Sequence, residues 1–114
     1  MWNKNLEKRR KVKNNYVLPE LYKLGYQSDQ LISDHQQLVE KGKRKIYIEI
    51  ELVVEIENQA AMVIAVRSNS EELTEYTKEQ ALFYARLLSN PAAVTVITNG
   101  LKAEIYDTYT KEEL

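Results

Sequence analysis

The sequence predicts an α/β domain built on a mixed β-sheet with flanking helices. Two patterns carry this prediction. Apolar residues alternate with polar ones through residues 46–57, which is typical of a strand with one buried face. Residues 70–89 then carry apolar side chains at helical spacing, and a second apolar run follows within 90–100. Because a helix that connects two strands allows them to run parallel, we expect both strand orientations in one sheet.

Composition limits the chain to a few classes of protein. Its 114 residues, 44% hydrophobic and 29% charged, suit one globular domain over residues 1–114. The absence of cysteine excludes disulfides and thiolate metal sites, and a single histidine excludes a zinc site built on several histidines. No apolar run approaches membrane-spanning length and no signal peptide opens the chain, so we expect a cytoplasmic protein without a membrane partner.

The first part of the chain is predicted to be helical. Residues 3–16 are read as a charged helix with sparse apolar positions. Pro19 suits the start of a short second helix, and Gly25 suits its end, because glycine enters the left-handed conformation without steric cost. Residues 32–40 are weakly typical of a strand, which is expected to end at a turn around Lys41 and Gly42.

Residues 46–57 form the most strongly patterned strand. Its even positions are predicted to face the core, and its odd positions to form a face lined with carboxylates. The next strand, at 60–68, supplies apolar partners that fix the parity of the pairing. A three-residue loop places Glu51 opposite Arg67, whereas a five-residue loop places Glu51 opposite Ala65 and Glu49 opposite Arg67. In both registers Arg67 has a carboxylate within reach across the strands.

The second half of the chain is predicted to continue with a helix and a hairpin. Ser70 is a candidate N-cap for the helix at 70–89, with Glu71 and Glu72 near its positive end. Asn99 and Gly100 make the strongest hairpin turn signal in the chain, and residues 101–109 then return as an edge strand. The expected order is therefore helix, three strands, helix and two strands.

Charge is distributed in blocks although the net charge is only −1. Basic residues concentrate in segments 4–13 and 41–45, and acidic residues follow later in the chain. Such an asymmetry is compatible with an anionic partner, and it is also compatible with ordinary solvated surfaces.

Five segments, in this order, resemble the N-terminal nuclease domain of type I restriction enzyme R subunits. They are LYKLGY at 21–26, GKRKIYIEIELVV at 42–54, VIAVRS at 63–68, QALFYA at 80–85 and VITNG at 96–100. The similarity covers about residues 12–108. The family belongs to the PD-(D/E)XK nuclease class, so the resemblance implies a restriction-endonuclease-like fold: a three-stranded meander, a crossover helix and further strands. It also implies magnesium-dependent cleavage of phosphodiesters in active members.

The chain departs from the nuclease pattern where that pattern reads acid-x-lysine. Ala65 has a methyl group at the place of the second acid, and Arg67 replaces the lysine. An arginine stays protonated and cannot act as a base. The first acid is Glu49 or Glu51, of which Glu51 would be the metal ligand if any is. The resemblance adds two motif positions on the following helix, which are Gln80 and Tyr84.

Three functions are compatible with these residues. The first is a catalytically degenerate nuclease-like domain that binds nucleic acid or serves a structural role, with no cofactor. The second is an active magnesium-dependent DNA endonuclease in which a helix glutamate, Glu72, Glu75 or Glu79, replaces the missing acid. The third is a protein-interaction module that contacts other subunits or forms a homodimer. If the basic segments rim the nuclease cleft, we expect DNA phosphates to be contacted by Arg9, Arg10, Lys43, Arg44 and Lys45.

Overall fold

The computed structural model describes residues 4–114, apart from the side chains of Lys4 and Lys41. A five-stranded sheet has helices on both faces. The helices are α1 (Lys4–Val12), α2 (Leu18–Lys23) and α3 (Glu75–Leu87), and the strands are β1 (Leu31–Lys41), β2 (Arg44–Ile56), β3 (Gln59–Val66), β4 (Val94–Thr98) and β5 (Ala103–Asp107). Among the described residues, no helix is long and apolar enough to cross a membrane.

The N-terminal helices form one nearly continuous helical segment. A π-helix, Lys13–Val17, joins α1 to α2, and the N–H of Leu18 donates to the carbonyl of Lys13. Pro19 lies in the first turn of α2 and has no N–H to donate to the preceding turn, which favours such a local widening. The predicted second helix is therefore confirmed. The start of the predicted first helix, at Asn3, lies outside the described residues.

Gly25 ends α2 as predicted. Its φ is +102°. The N–H of Gly25 donates to the carbonyl of Tyr22, and the N–H of Tyr26 donates to the carbonyl of Leu21. This pair of bonds is the Schellman arrangement, in which a left-handed residue satisfies the last helical carbonyls. A single 3₁₀ turn, Ser28–Gln30, then leads into β1.

The sheet is mixed, as predicted. Its strand order is β1-β2-β3-β4-β5, with β3 and β4 parallel and every other neighbouring pair antiparallel. The predicted order of elements is confirmed. Helix α3 connects the end of β3 to the start of β4, which allows these two strands to run parallel. Between β4 and β5 the loop spans residues 99–102, and the Asn99 side chain accepts from the N–H groups of Leu101 and Lys102.

The β2–β3 hairpin combines a tight turn with a shift of register. Glu57 and Asn58 both have positive φ, at 54° and 64°, which is the conformation of a two-residue type I′ turn. The register then shifts between Val54 and Glu55, so that Leu52 pairs with Ile64. In the body of the hairpin this is the register predicted for a five-residue loop, and it brings Glu51 beside Ala65.

The predicted strict alternation in β2 is wrong beyond Glu51. Ile48 and Ile50 pack with Val53 on the α3 face of the sheet, whereas Leu52 packs under α1 and α2 on the opposite face. The ladder between β1 and β2 skips Asp34 and Glu51, and Asp34 has a φ of +53°. The phase of the strand therefore changes at this point, and both faces of β2 contribute to the core. Ile56, predicted to be in the core, is 43% exposed.

Helix α3 begins later than predicted. Its N-cap is Thr74, whose hydroxyl accepts from the N–H of Thr77, so the predicted N-cap at Ser70 is wrong. Residues 68–73 form a loop that carries Glu71 and Glu72 outside the helix. The buried face of α3 packs on the central strands, with Leu82 against Ile97. This packing fixes the helix beside β3 and β4.

Candidate functional site

A cleft of about 310 Å³ lies between α1, α3 and the adjoining parts of β2 and β3. The six predicted motif positions, which are dispersed over 36 residues of sequence from 49 to 84, all line it. The lining includes Glu49, Glu51, Ala65, Arg67, Gln80, Tyr84, Arg9 and Asp34. The fold thus brings together the residues that the sequence assigned to one site.

Arg67 is the centre of the polar contacts in the cleft. Its Nη1 donates to Glu51 Oε1 at 3.0 Å and to the carbonyl of Val66 at 3.0 Å. Its Nη2 donates to Gln80 Oε1 at 3.0 Å, and the Gln80 amide donates to the Tyr84 hydroxyl at 3.4 Å. The guanidinium is therefore held on three sides. The predicted contact between Arg67 and a cross-strand carboxylate is observed, and its partner is Glu51.

Glu51 is a largely buried carboxylate with an opposing cation. Its side chain is 20% exposed, and that of Arg67 is 11% exposed. Burial raises the pKa of Glu51, because desolvation disfavours the charged form, while the charge of Arg67 acts in the opposite direction. Glu49, the other candidate for the first acid, lies exposed at the rim of the cleft.

The carboxylates of the cleft are not grouped as a metal site among the described residues. Magnesium needs oxygen ligands in near-octahedral geometry. Ala65 lines the cleft with a methyl group, and one oxygen of Glu51 already accepts from the Arg67 guanidinium. Within residues 4–114, no three aspartate, glutamate or histidine side chains are grouped so that they could hold a metal ion. The cation that faces Glu51 is the Arg67 guanidinium.

The predicted replacement acids lie away from this cleft. None of Glu72, Glu75 and Glu79 lines it. Glu75 is paired with Lys78 at 3.7 Å, and Glu79 with Lys111 at 3.1 Å. Glu72 lies exposed in the loop before α3. The late start of α3 accounts for part of this difference, because the helix was expected to begin near Glu71.

Two ion pairs at the cleft were missed by sequence reasoning. Lys13 is 5% exposed, and its Nζ lies 3.4 Å from Asp34, which lines the cleft at the phase change of the sheet. Arg9 donates to both oxygens of Glu71, at 3.0 and 2.7 Å, and so fastens α1 to the loop after β3. The hydrogen bond from Arg9 lowers the pKa of Glu71 to about 2, and Glu71 raises that of Arg9. Neither pair has a local sequence signal, since the partners are far apart in the chain.

The predicted phosphate-binding residues do not form one surface around the cleft. Arg9 lines it but is held by Glu71. Arg10 is exposed on α1 and does not line the cleft. The other three, at the hairpin between β1 and β2, are exposed and also absent from the lining: Lys43, Arg44 and Lys45.

Comparison with known proteins identifies the fold. A fragment structure from Vibrio vulnificus YJ016, described as an HsdR subunit of a type I restriction enzyme, matches with a TM-score of 0.69 and 17% sequence identity. The match covers 93% of this chain and 22% of that chain. The fold is restriction-endonuclease-like. At this identity the likeness concerns the fold alone, and it is the predicted fold that is confirmed.

Two further comparisons gave no relative. No protein-family model matches the sequence. A search of curated proteins also found no match.

Proposed function

We propose that the chain is a nuclease-like domain of restriction-system type that no longer cleaves phosphodiesters and that retains a nucleic-acid-binding role. The observation that carries the proposal is the ion pair between Arg67 and Glu51 beside Ala65. In a metal-dependent nuclease, these three positions would supply two carboxylates and a lysine. Here one carboxylate is a methyl group, and the other neutralises a permanent cation.

The chemistry of arginine supports the loss of turnover. A lysine that helps to activate water has to exchange a proton, whereas a guanidinium keeps its proton at any relevant pH. Arg67 also donates to Glu51 and Gln80 at 3.0 Å each, which fixes its orientation. The cleft is thereby stabilised by internal contacts. A metal ion would have to displace Arg67 from Glu51 and would still lack the second carboxylate.

The active endonuclease is the less favoured alternative for the same geometric reasons. Its replacement acid would have to reach Glu51, yet Glu75 and Glu79 have other ion-pair partners. Asp34 does line the cleft, and it is paired with Lys13 at 3.4 Å. Glu51 and Asp34 are thus each matched by a cation, which favours a structural network, and Glu49 lies exposed at the rim.

Cleavage and binding are tested separately. Supercoiled plasmid is incubated with the protein in magnesium or manganese, using Glu51→Gln as the matched variant. We expect no nicking by either protein. Metal-dependent nicking by the wild type that Glu51→Gln abolishes would overturn the proposal in favour of the endonuclease.

Binding is measured by the mobility of a DNA duplex at low salt and without metal, where retardation by both proteins is expected. A chain that fails to retard DNA and sediments as a dimer would instead be a protein-interaction module.

A further inference from the structure

Outside the cleft, a groove of about 360 Å³ lies against α1 and the loop that follows β3. Its polar lining comes from Lys8, Lys11 and Asn15 of the N-terminal helical segment and from Ser68, Asn69 and Ser70 of the loop, and its apolar lining from Val12 and Tyr16. We call the six polar residues the basic groove. Lys8 and Lys11 are three residues apart and share one side of α1, whereas Leu6 and Arg9 share another side and line the cleft. Helix α1 therefore separates the two sites.

The cations of the two sites differ in whether they are already neutralised. In the cleft, Arg67 is bound to Glu51, and Arg9 is bound to Glu71. In the basic groove, Lys8 and Lys11 are exposed, and neither forms an ion pair with any carboxylate of the described residues. An anion gains more from an unpaired ammonium than from a guanidinium whose charge is compensated at hydrogen-bond distance.

The loop side of the basic groove adds fixed hydrogen-bonding groups. The hydroxyls of Ser68 and Ser70 lie 3.2 Å apart, and Asn69 donates to the carbonyl of Asn99 at 2.7 Å. The N–H of Ser68 donates to Glu71, which Arg9 holds from α1. The loop is thus braced to α1 and to the loop that follows β4. Ser68 is buried, whereas Ser70 is exposed, so the Ser70 hydroxyl beside two lysines is a suitable donor for the oxygens of a phosphate group.

We propose that the basic groove binds backbone phosphates of a nucleic acid, outside the cleft that corresponds to the nuclease site. The inference rests on the proposed nucleic-acid-binding function and gives it a location. Lysine and hydroxyl contacts to phosphate position a nucleic acid without reading its sequence. The nucleic acid would run along the side of α1 that carries Lys8 and Lys11, and binding would not require the cleft to open.

The test compares two pairs of lysines that carry equal charge. Lys8→Gln/Lys11→Gln removes the cations of the basic groove, and Lys43→Gln/Lys45→Gln removes the same charge from the β1–β2 hairpin. Affinity for a labelled DNA duplex is measured by fluorescence anisotropy over a series of salt concentrations. All four lysines are exposed, so both variants are expected to keep the thermal stability of the wild type.

Loss of two phosphate contacts should make the plot of log affinity against log salt shallower by about 1.8. The wild type should therefore lose about tenfold more affinity than Lys8→Gln/Lys11→Gln when salt rises fourfold. The hairpin variant should keep the wild-type slope to within about 0.5.

A hairpin variant with the shallower slope, beside an unchanged groove variant, would overturn the location and leave the proposed function standing. A wild type that does not bind DNA at low salt would overturn the function itself. Acetylation of lysines provides a second readout. Lys8 and Lys11 should be protected by DNA, and Lys43 and Lys45 should react as in the free protein; the reverse pattern would also overturn the location.

Discussion

Replacing Arg67 with methionine should destabilise the protein through the charge that it leaves behind. Methionine keeps much of the side-chain volume but removes the donors to Glu51, Gln80 and the Val66 carbonyl, each at 3.0 Å. Removing one partner of a buried ion pair costs about 3–5 kcal/mol. Since the two side chains remain 11% and 20% exposed, we expect a smaller loss, about 2–3 kcal/mol, in the free energy of unfolding.

The assay is urea unfolding of four proteins at neutral pH: wild type, Arg67→Met, Glu51→Gln and the double variant. The double variant should be more stable than the sum of the single losses predicts, by about 1–2 kcal/mol, because it contains no unpaired charge. Additive losses, to within about 0.5 kcal/mol, would refute the coupling of Arg67 to Glu51.

The pH dependence of the stability lost in Arg67→Met provides a second test of the Arg67–Glu51 ion pair. Burial raises the pKa of Glu51, and loss of Arg67 should raise it further. A carboxyl whose folded pKa lies above its unfolded value favours folding when protonated and opposes it as pH rises through the folded pKa. The destabilisation should therefore be largest at neutral pH and shrink below about pH 4, where Glu51 is protonated in both states. A loss that does not change with pH would contradict an electrostatic cause.

Three other predictions concern the surroundings of the site. Because the pKa of Glu71 is lowered from 4.5 to about 2, its contribution to stability should be lost as pH falls through that range. Because the Glu71 side chain is 22% exposed and screened by solvent, we expect this contribution to the free energy of unfolding to be about 1–2 kcal/mol. In urea unfolding at acid pH, Glu71→Gln should not show this loss of stability. A variant with the same acid dependence as the wild type would contradict the prediction. Thr74→Ala should cost about 1 kcal/mol in urea unfolding, and Ser70→Ala less than about 0.5 kcal/mol; the reverse order would restore the N-cap to Ser70. Gly100→Ala places a Cβ 2.7 Å from Asn69 Nδ2 at a φ of +86°, whereas Gly42→Ala places its Cβ in open space at a φ of +65°. The melting temperature should therefore fall further for Gly100→Ala than for Gly42→Ala. Equal decreases would show that backbone conformation alone determines the loss.

The order of elements and the mixed sheet could be predicted because each rests on a local signal. These signals depend only on the conformations of neighbouring residues. They are the alternation in 46–57, the helical spacing before 89 and the glycines at 25 and 100. The phase change at Glu51 has no such signal. It depends on Asp34 adopting a left-handed conformation in the neighbouring strand, and on both faces of β2 being covered by helices. Only the assembled sheet shows that Val53 is as buried as Ile50, at 2% exposure each.

The residues that line the candidate site could be predicted from the sequence, but several of their contacts could not. The six motif positions were named from the resemblance together with the expected strand pairing, and they line one cleft. The pairs between Lys13 and Asp34 and between Arg9 and Glu71 join residues 21 and 62 positions apart, so no window of sequence contains the reason for them. The N-cap was misplaced because Ser70 and Thr74 are both suitable capping residues, and only the hydrogen bond from Thr77 distinguishes them.

Titration calorimetry of magnesium and manganese into the wild type and Glu51→Ala tests most directly whether Arg67 has taken the place of a metal ion. We expect no saturable binding to either protein at millimolar metal, because the Arg67 guanidinium donates to Glu51 and the Ala65 side chain has no oxygen. Saturable binding to the wild type that is lost in Glu51→Ala would contradict it, and would show that the cleft still holds an ion.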